Sequence, residues 1–178
     1  MEYTLNIKGH LMDLSTPQVM GILNVTPDSF YSGSRKQTEK EIADRANQII
    51  EEGGSIIDVG AFSTRPGADE VSEEEEGRRL KFALDIVRRE QSNVAISVDT
   101  YRPTLARKCI EEWGADIIND VSEGGITGIA NVPLEQREEE YPEMFRLVGE
   151  LKVPYILMSV QPTLATMMKG FAKEVQQL

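Results

Sequence analysis

Short apolar runs that end in polar residues alternate along this chain with segments of helical periodicity. Residues 3–7 and 11–14 alternate apolar and polar around Lys8-Gly9-His10, which predicts a small β-hairpin ahead of the main fold. Residues 19–25 (Val-Met-Gly-Ile-Leu-Asn-Val) form the first run with the character of a strand buried on both faces. Similar runs follow at residues 56–60, 94–98, 116–118 and 155–158. Between them lie helical patterns with recognisable ends. Thr38 with Glu41 three residues on reads as a capping box, Ile42, Ala46, Ile49 and Ile50 keep helical spacing, and Gly53-Gly54 stops the helix. Ser72 and Glu75 repeat the box ahead of Leu80, Ala83, Leu84 and Val87. Pro103 suits a first helical turn before Leu105, Cys109, Ile110 and Trp113, with Gly114 as the stop. Pro142 opens a helix carrying Met144, Phe145, Val148 and Leu151. A last helix after Pro162 carries Leu164, Met167, Met168, Phe171, Val175 and Leu178. Residues 123–140 lack clear periodicity and read as an extended loop with room for a short helix.

The order is therefore a hairpin and then five βα units. Parallel pairing with right-handed crossovers is the default for such a series. Two α/β architectures satisfy it. One is an open doubly wound sheet, and the other is the first five-eighths of a (β/α)8 barrel, a fold of about 250 residues. Periodicity does not choose between them.

Composition narrows the function classes. The chain has 178 residues and a formal net charge of −11, which opposes generic nucleic-acid binding because that relies on basic surface. The single cysteine, Cys109, excludes an intrachain disulfide, and its place on a helical stripe marks it as core. The single histidine, His10, excludes a multi-histidine metal site and a Ser-His-Asp triad. No apolar run approaches the roughly 18 residues that span a bilayer, and the N-terminus lacks a signal-peptide pattern. The expectation is a cytoplasmic protein that acts on small molecules, with neither a nucleic acid nor a membrane as partner.

Candidate chemistry sits at the strand ends: Asn24, Asp58 through Arg65, Asp99 and Asn119. Any one of these alone reads as a turn former. Four strand ends that agree read better as a shared pocket. Burying Asp99 or Asn119 without partners would cost about 1–3 kcal/mol each. A neutral heterocycle with several N–H donors and ring acceptors would satisfy them, since a carboxylate accepts two adjacent N–H groups and an amide does both. Arg65, beside Ser63 and Thr64, points instead to an anion, with a surface ion pair as its alternative. The run Glu73 to Glu76 reads most simply as first-turn carboxylates facing a helix dipole, with metal binding a distant second.

These residues carry a resemblance. Met20-Gly21-Ile22-Leu23-Asn24-Val25-Thr26-Pro27-Asp28-Ser29-Phe30 resembles the first signature of the dihydropteroate synthases, and Asp58 through Gly67, with Ser63-Thr64-Arg65-Pro66-Gly67, their second. Ile96-Ser97-Val98-Asp99-Thr100 and Gly-Ala-Asp-Ile-Ile-Asn-Asp-Val-Ser at 114–122 are similar to the next two strand ends. The resemblance implies a TIM-barrel enzyme of folate synthesis, a target of sulfonamides. Such enzymes join a dihydropterin pyrophosphate to p-aminobenzoate and release pyrophosphate with help from Mg²⁺. By position it makes Asn24 the metal-linked residue, and it has Thr64, Asp99 and Asn119 contact the pterin. Arg65, Ser63, Pro66 and Phe30 would lie in the aminobenzoate and pyrophosphate region, and Asp58 stands among the substrate-binding residues. A homodimer is left open.

The chain departs from the family pattern at Ser32, Phe62 and Ser159, where Asp, Glu and His are usual. The later Asp-Pro-Gly-Phe-Gly, Ser-Arg-Lys and Arg-x-His segments of the family are not in these 178 residues. The expectation is a single pterin-binding barrel domain over 1–178, incomplete at its C-terminus, prone to association at two open sheet edges and inactive by itself. A non-catalytic pterin binder, a pterin-dependent methyltransferase domain and an inert fragment are the alternative readings.

Overall fold

A computed structural model describes residues 3–25, 35–62, 71–122 and 143–158. Two strands, β1 (Thr4–Ile7) and β2 (His10–Asp13), form an antiparallel hairpin turning at Lys8-Gly9. The main sheet then runs β3 (Met20–Asn24), α1 (Arg35–Glu51), β4 (Ile56–Gly60), α2 (Glu73–Glu90), β5 (Ala95–Asp99), α3 (Pro103–Glu111), β6 (Ile117–Asp120), α4 (Glu143–Leu151) and β7 (Tyr155–Leu157). The final predicted helix, after Pro162, lies outside the described residues. Among the described residues no helix is long and apolar enough to cross a membrane.

The five strands pair in parallel and in strict chain order, β3-β4-β5-β6-β7. A doubly wound sheet reverses strand order at a switch point and carries helices on both faces. Among the described residues neither feature occurs. Leu23, Ile57, Val59, Ile96, Val98 and Ile118 face one way and form a single core with helix residues such as Ile49, Leu80, Leu84, Leu105 and Leu147. The opposite face carries a smaller cluster of Ile56, Ala95 and Ile117, against which Met20, Ile156 and, from the hairpin, Ile7 and Met12 pack. The sheet is thus an arc of the barrel type, helices outside, with the hairpin plugging the base of its inner face.

Sequence chemistry accounts for most element ends. Ser72 caps α2 by accepting from the Glu75 amide, and Arg88 and Arg89 occupy the last turn of that helix. Gly53 and Gly114 take positive φ (96° and 81°) just past α1 and α3, where a side chain would be strained. One cap differs from expectation. Thr38 does not begin a helix, because α1 already runs from Arg35 and Thr38 is a buried residue inside it. The polar box was read a turn late, since the residues ahead of it are polar too.

The base is pinned by Arg88, which donates to the carbonyls of Val94 (2.8 Å) and Gly114 (2.6 Å) and to Asp116 Oδ2 (2.8 Å). Lys8 of the hairpin turn meets the other Asp116 oxygen at 2.9 Å. Asp116 therefore precedes β6 as a tie between hairpin, α2 and sheet, and is not the strand's first residue. At the outermost strands Val19, Ile22, Leu157 and Met158 are exposed.

Core and edge positions are expected to respond differently to truncation. Ile96→Ala, at a fully buried outer-face position, should cost about 2–5 kcal/mol in chemical unfolding. Ile22→Ala, at a residue 57% exposed, should cost well under about 1 kcal/mol.

Candidate functional site

Parallel strands in register place paired residues side by side on one face, and residues two apart share that face. The registers align Asn24 with Gly60, Gly60 with Asp99, and Asp99 with Asn119. One row below, Ile22, Asp58, Ser97 and Ile117 align in the same way. Both rows lie on the inner face, above the apolar plug at the base. Asn24, Asp99 and Asn119, predicted at three strand ends, therefore share one rim, and Asp58 of the remaining strand lies one row below it. Phe30, Ser63, Thr64, Arg65 and Pro66 lie outside the described residues.

Gly60 lets the rim close. A Cβ there would sit 2.7 Å from Asn24 Oδ1 and 3.5 Å from Asp99 Oδ2, so Asn24 leans across the glycine towards Asp99. Asn119 Nδ2 donates to Asp58 Oδ2 at 3.1 Å, a bond buried in the sheet face. That bond fixes the Asn119 amide, and among the described residues Asn119 Oδ1 and Asp58 Oδ1 are buried without a hydrogen-bond partner. Burial pushes the Asp58 carboxyl above its ordinary range, against the stabilising hydroxyl of Ser97 and amide of Asn119. Asp99 is pushed from an ordinary 3.8 up to about 7, first by burial and then by the charges of Asp58, Glu76 and Asp120. The rim is a surface of acceptors. It suits a flat ligand rich in N–H donors, because each orphaned acceptor recovers its desolvation cost only from a donor.

Two buried carboxylates stand behind the rim. Glu73 to Glu76 do form the acidic first turn of α2, as read from the sequence, and within that run Glu76 is fully buried. It accepts from Thr100 Oγ1 (2.7 Å) and from Arg102 (2.5 Å). Its position, four residues before Leu80 and seven before Ala83, extends the apolar stripe of α2 back into the first turn, and its partners on the turn after β5 satisfy it there. Asp120 projects from the opposite face to Asn119 and accepts from Tyr155 Oη (2.7 Å), Ser122 Oγ (2.6 Å) and the Ser122 amide (2.7 Å), so it braces β6 against β7. Cys109 is buried and its thiol is pushed up by burial and then by Glu76, which fits the core role read from its stripe.

A family model described as "Pterin binding enzyme" matches residues 20–177. The chain belongs to the pterin-binding enzyme family. It is 39% identical over 163 residues to dihydropteroate synthase of Escherichia coli, covering 92% of this chain and 52% of that protein. Among solved structures, Xanthomonas albilineans dihydropteroate synthase with 4-aminobenzoic acid superposes with a TM-score of 0.72 at 34% identity, covering 90% of this chain and 53% of that one. The same protein in complex with 7,8-dihydropteroate gives 0.66 at 27% identity, covering 98% and 59%. The chain spans only 52–59% of the length of these relatives.

Among the described residues the rim offers several hard oxygens, the amide oxygen of Asn24 among them. A hard oxygen of that kind fits Mg²⁺, which takes few protein ligands and completes its shell with water and phosphate. Among the described residues no group of three or more His, Cys, Asp or Glu is placed to hold a metal ion.

Two outcomes follow from the rim. Gly60→Ala should swing the Asn24 amide aside at a stability cost of about 1 kcal/mol or less, read as a shift of the Asn24 side-chain NMR signals with little change in unfolding. An acid whose folded pKa is raised binds its proton more tightly when folded. Stability from Asp99 is therefore full below about 3.8 and lost as pH rises through about 7. Thermal unfolding from pH 4 to 8 should show that decline, and Asp99→Asn should flatten it.

Proposed function

We propose that this chain carries the pterin side of a dihydropteroate synthase, which condenses 6-hydroxymethyl-7,8-dihydropterin pyrophosphate with p-aminobenzoate to give 7,8-dihydropteroate and pyrophosphate. The observation that carries the reading is the acceptor rim of Asp99, Asn119 and Asp58, matched to a ring whose amino and N–H groups are donors. The solved relatives named with 4-aminobenzoic acid and dihydropteroate support it. The proposal takes residues 1–178 as part of one barrel-type domain in a cytoplasmic setting.

In this reading Asp99 accepts two adjacent N–H groups of the pterin, and Asn119, oriented by Asp58, accepts another through Oδ1. Asp58 thus acts on the ring mainly through Asn119. Holding the ring edge-on to the rim leaves its methylene at the open side, where the aminobenzoate nitrogen forms a new bond as the carbon–oxygen bond to pyrophosphate breaks. The electron pair leaves with pyrophosphate, and the ammonium formed gives its proton to solvent. Thr64, Ser63, Arg65, Pro66 and Phe30 are assigned by motif to the substrates on that side, Arg65 to an anionic group. Mg²⁺, held in part by Asn24, would neutralise the departing pyrophosphate when bound.

The test is calorimetric binding of the dihydropterin pyrophosphate, followed by an assay of dihydropteroate formation with p-aminobenzoate and Mg²⁺. Asp99→Asn and Asn119→Ala are each expected to weaken pterin binding about tenfold to a hundredfold, the size of a lost hydrogen bond to a charged or buried group. Affinity should rise as pH climbs through about 7, because a donor-rich ligand selects the ionised Asp99. Absence of pterin binding would sink the proposal. Tight binding of a methylated folate with no response to pyrophosphate would replace it with a methyl-transfer role.

A further inference from the structure

Burying a carboxylate costs several kcal/mol unless it is paired and hydrogen-bonded, and a buried ion pair is weak ground for stability because apolar packing of the same volume does as well. Glu76 is such a group, and its partners all lie on the turn that leaves β5. Thr100, the residue after Asp99, donates its hydroxyl to Glu76 Oε1 at 2.7 Å. Its amide reaches the Asn119 carbonyl at 3.2 Å, and its Oγ1 accepts from the Arg102 amide at 3.2 Å. Arg102 donates to Glu76 Oε2 at 2.5 Å and to the Val71 carbonyl at 2.7 Å. Its guanidinium also lies 5.2 Å from the centroid of the Tyr101 ring. The backbone next to Asp99 is thereby tied to the first turn of α2, to β6 and to the start of α3.

We infer that Glu76 is a positioning residue for Asp99: clamped by Thr100 and Arg102, it sets the turn after β5 and so the direction in which the Asp99 carboxylate faces the rim. The polar pair is kept because direction, which an apolar contact does not specify, is what the rim requires. Glu76 also acts through space. Asp99 is faced by Asp58 from β4, Glu76 from α2 and Asp120 from β6, and each adds to its hold on a proton. Glu76 is in turn faced by Glu73 on its own helix and by Thr100 and Arg102 on the turn, with Cys109 of α3 close enough to feel its charge. Burial raises its proton affinity, and the Thr100 hydroxyl and the Arg102 charge oppose that rise.

This inference rests on the pterin reading for its ligand, and two measurements keep the two apart. The first is binding of 6-hydroxymethylpterin to Glu76→Gln and Thr100→Val, with thermal unfolding recorded for each. A fall of about tenfold in affinity for the folded protein, in both variants, is expected. The second is the titration of the Asp99 carboxyl by NMR without ligand, whose midpoint should move down in Glu76→Gln because one facing negative charge is gone. A purely structural role would lower the unfolding temperature and move neither reading. Unchanged affinity together with an unchanged Asp99 midpoint overturns the inference. If the unsubstituted chain binds no pterin yet the midpoint still falls, the pterin reading fails and the coupling of Glu76 to Asp99 stands.

Discussion

Parallel strands in register carry the rest of this structure. Each strand alternates its side chains with a period of two, and the pairing of β3 to β6 brings those alternations into phase. Six apolar positions fall on the helix side as a consequence, and Asn24, Gly60, Asp99 and Asn119 fall into one row on the other side. A slip of one residue would turn a strand's inner-face polar groups toward the helices and its outer-face apolar groups toward the rim. The apolar core on the outer face therefore sets the geometry of the polar rim on the inner one.

The inner face is graded from base to rim. At the base Ile56 and Ala95, with Ile117 one row above them, pack with Ile7 and Met12 of the hairpin, which Lys8 holds in place through Asp116. The middle row pairs a buried acid with a buried hydroxyl, Asp58 beside Ser97. The top row ends in acceptors, and among the described residues Asn119 Oδ1 is left without a donor. Such groups persist in native proteins where a ligand supplies the missing donors. Placing several acids together costs stability, and Asp99 registers that cost as an elevated proton affinity. The same crowding tunes it near neutrality, where a donor-rich heterocycle can select its ionised form.

The polar clusters outside the row do mechanical work on it. Asp120 braces β6 against β7 through Tyr155, and Glu76 with Arg102 braces the turn after β5 against α2. Both lie on the side of the sheet away from the ligand face. Rigid support of this kind is what holds a hydrogen-bonding edge in productive geometry.

Much of this was legible along the chain. The β-branched runs, the Ser72 cap, Pro103 and the glycine stops mark the elements because they act through neighbours a few residues away. Asn24, Asp58, Asp99 and Asn119 stood out because each interrupts an apolar run at its end. Long-range pairing decided the rest. Only the sequential strand order separated a barrel arc from a doubly wound sheet, since identical βα units build both. Thr38 read as a cap and Glu76 as one of four first-turn carboxylates; the partners that hold Glu76, Thr100 and Arg102, lie 24 and 26 residues on, at distances no local period records. Local propensity wrote the elements and their polar tips, whereas contacts between distant segments chose which tips meet and which carboxylate stands behind them.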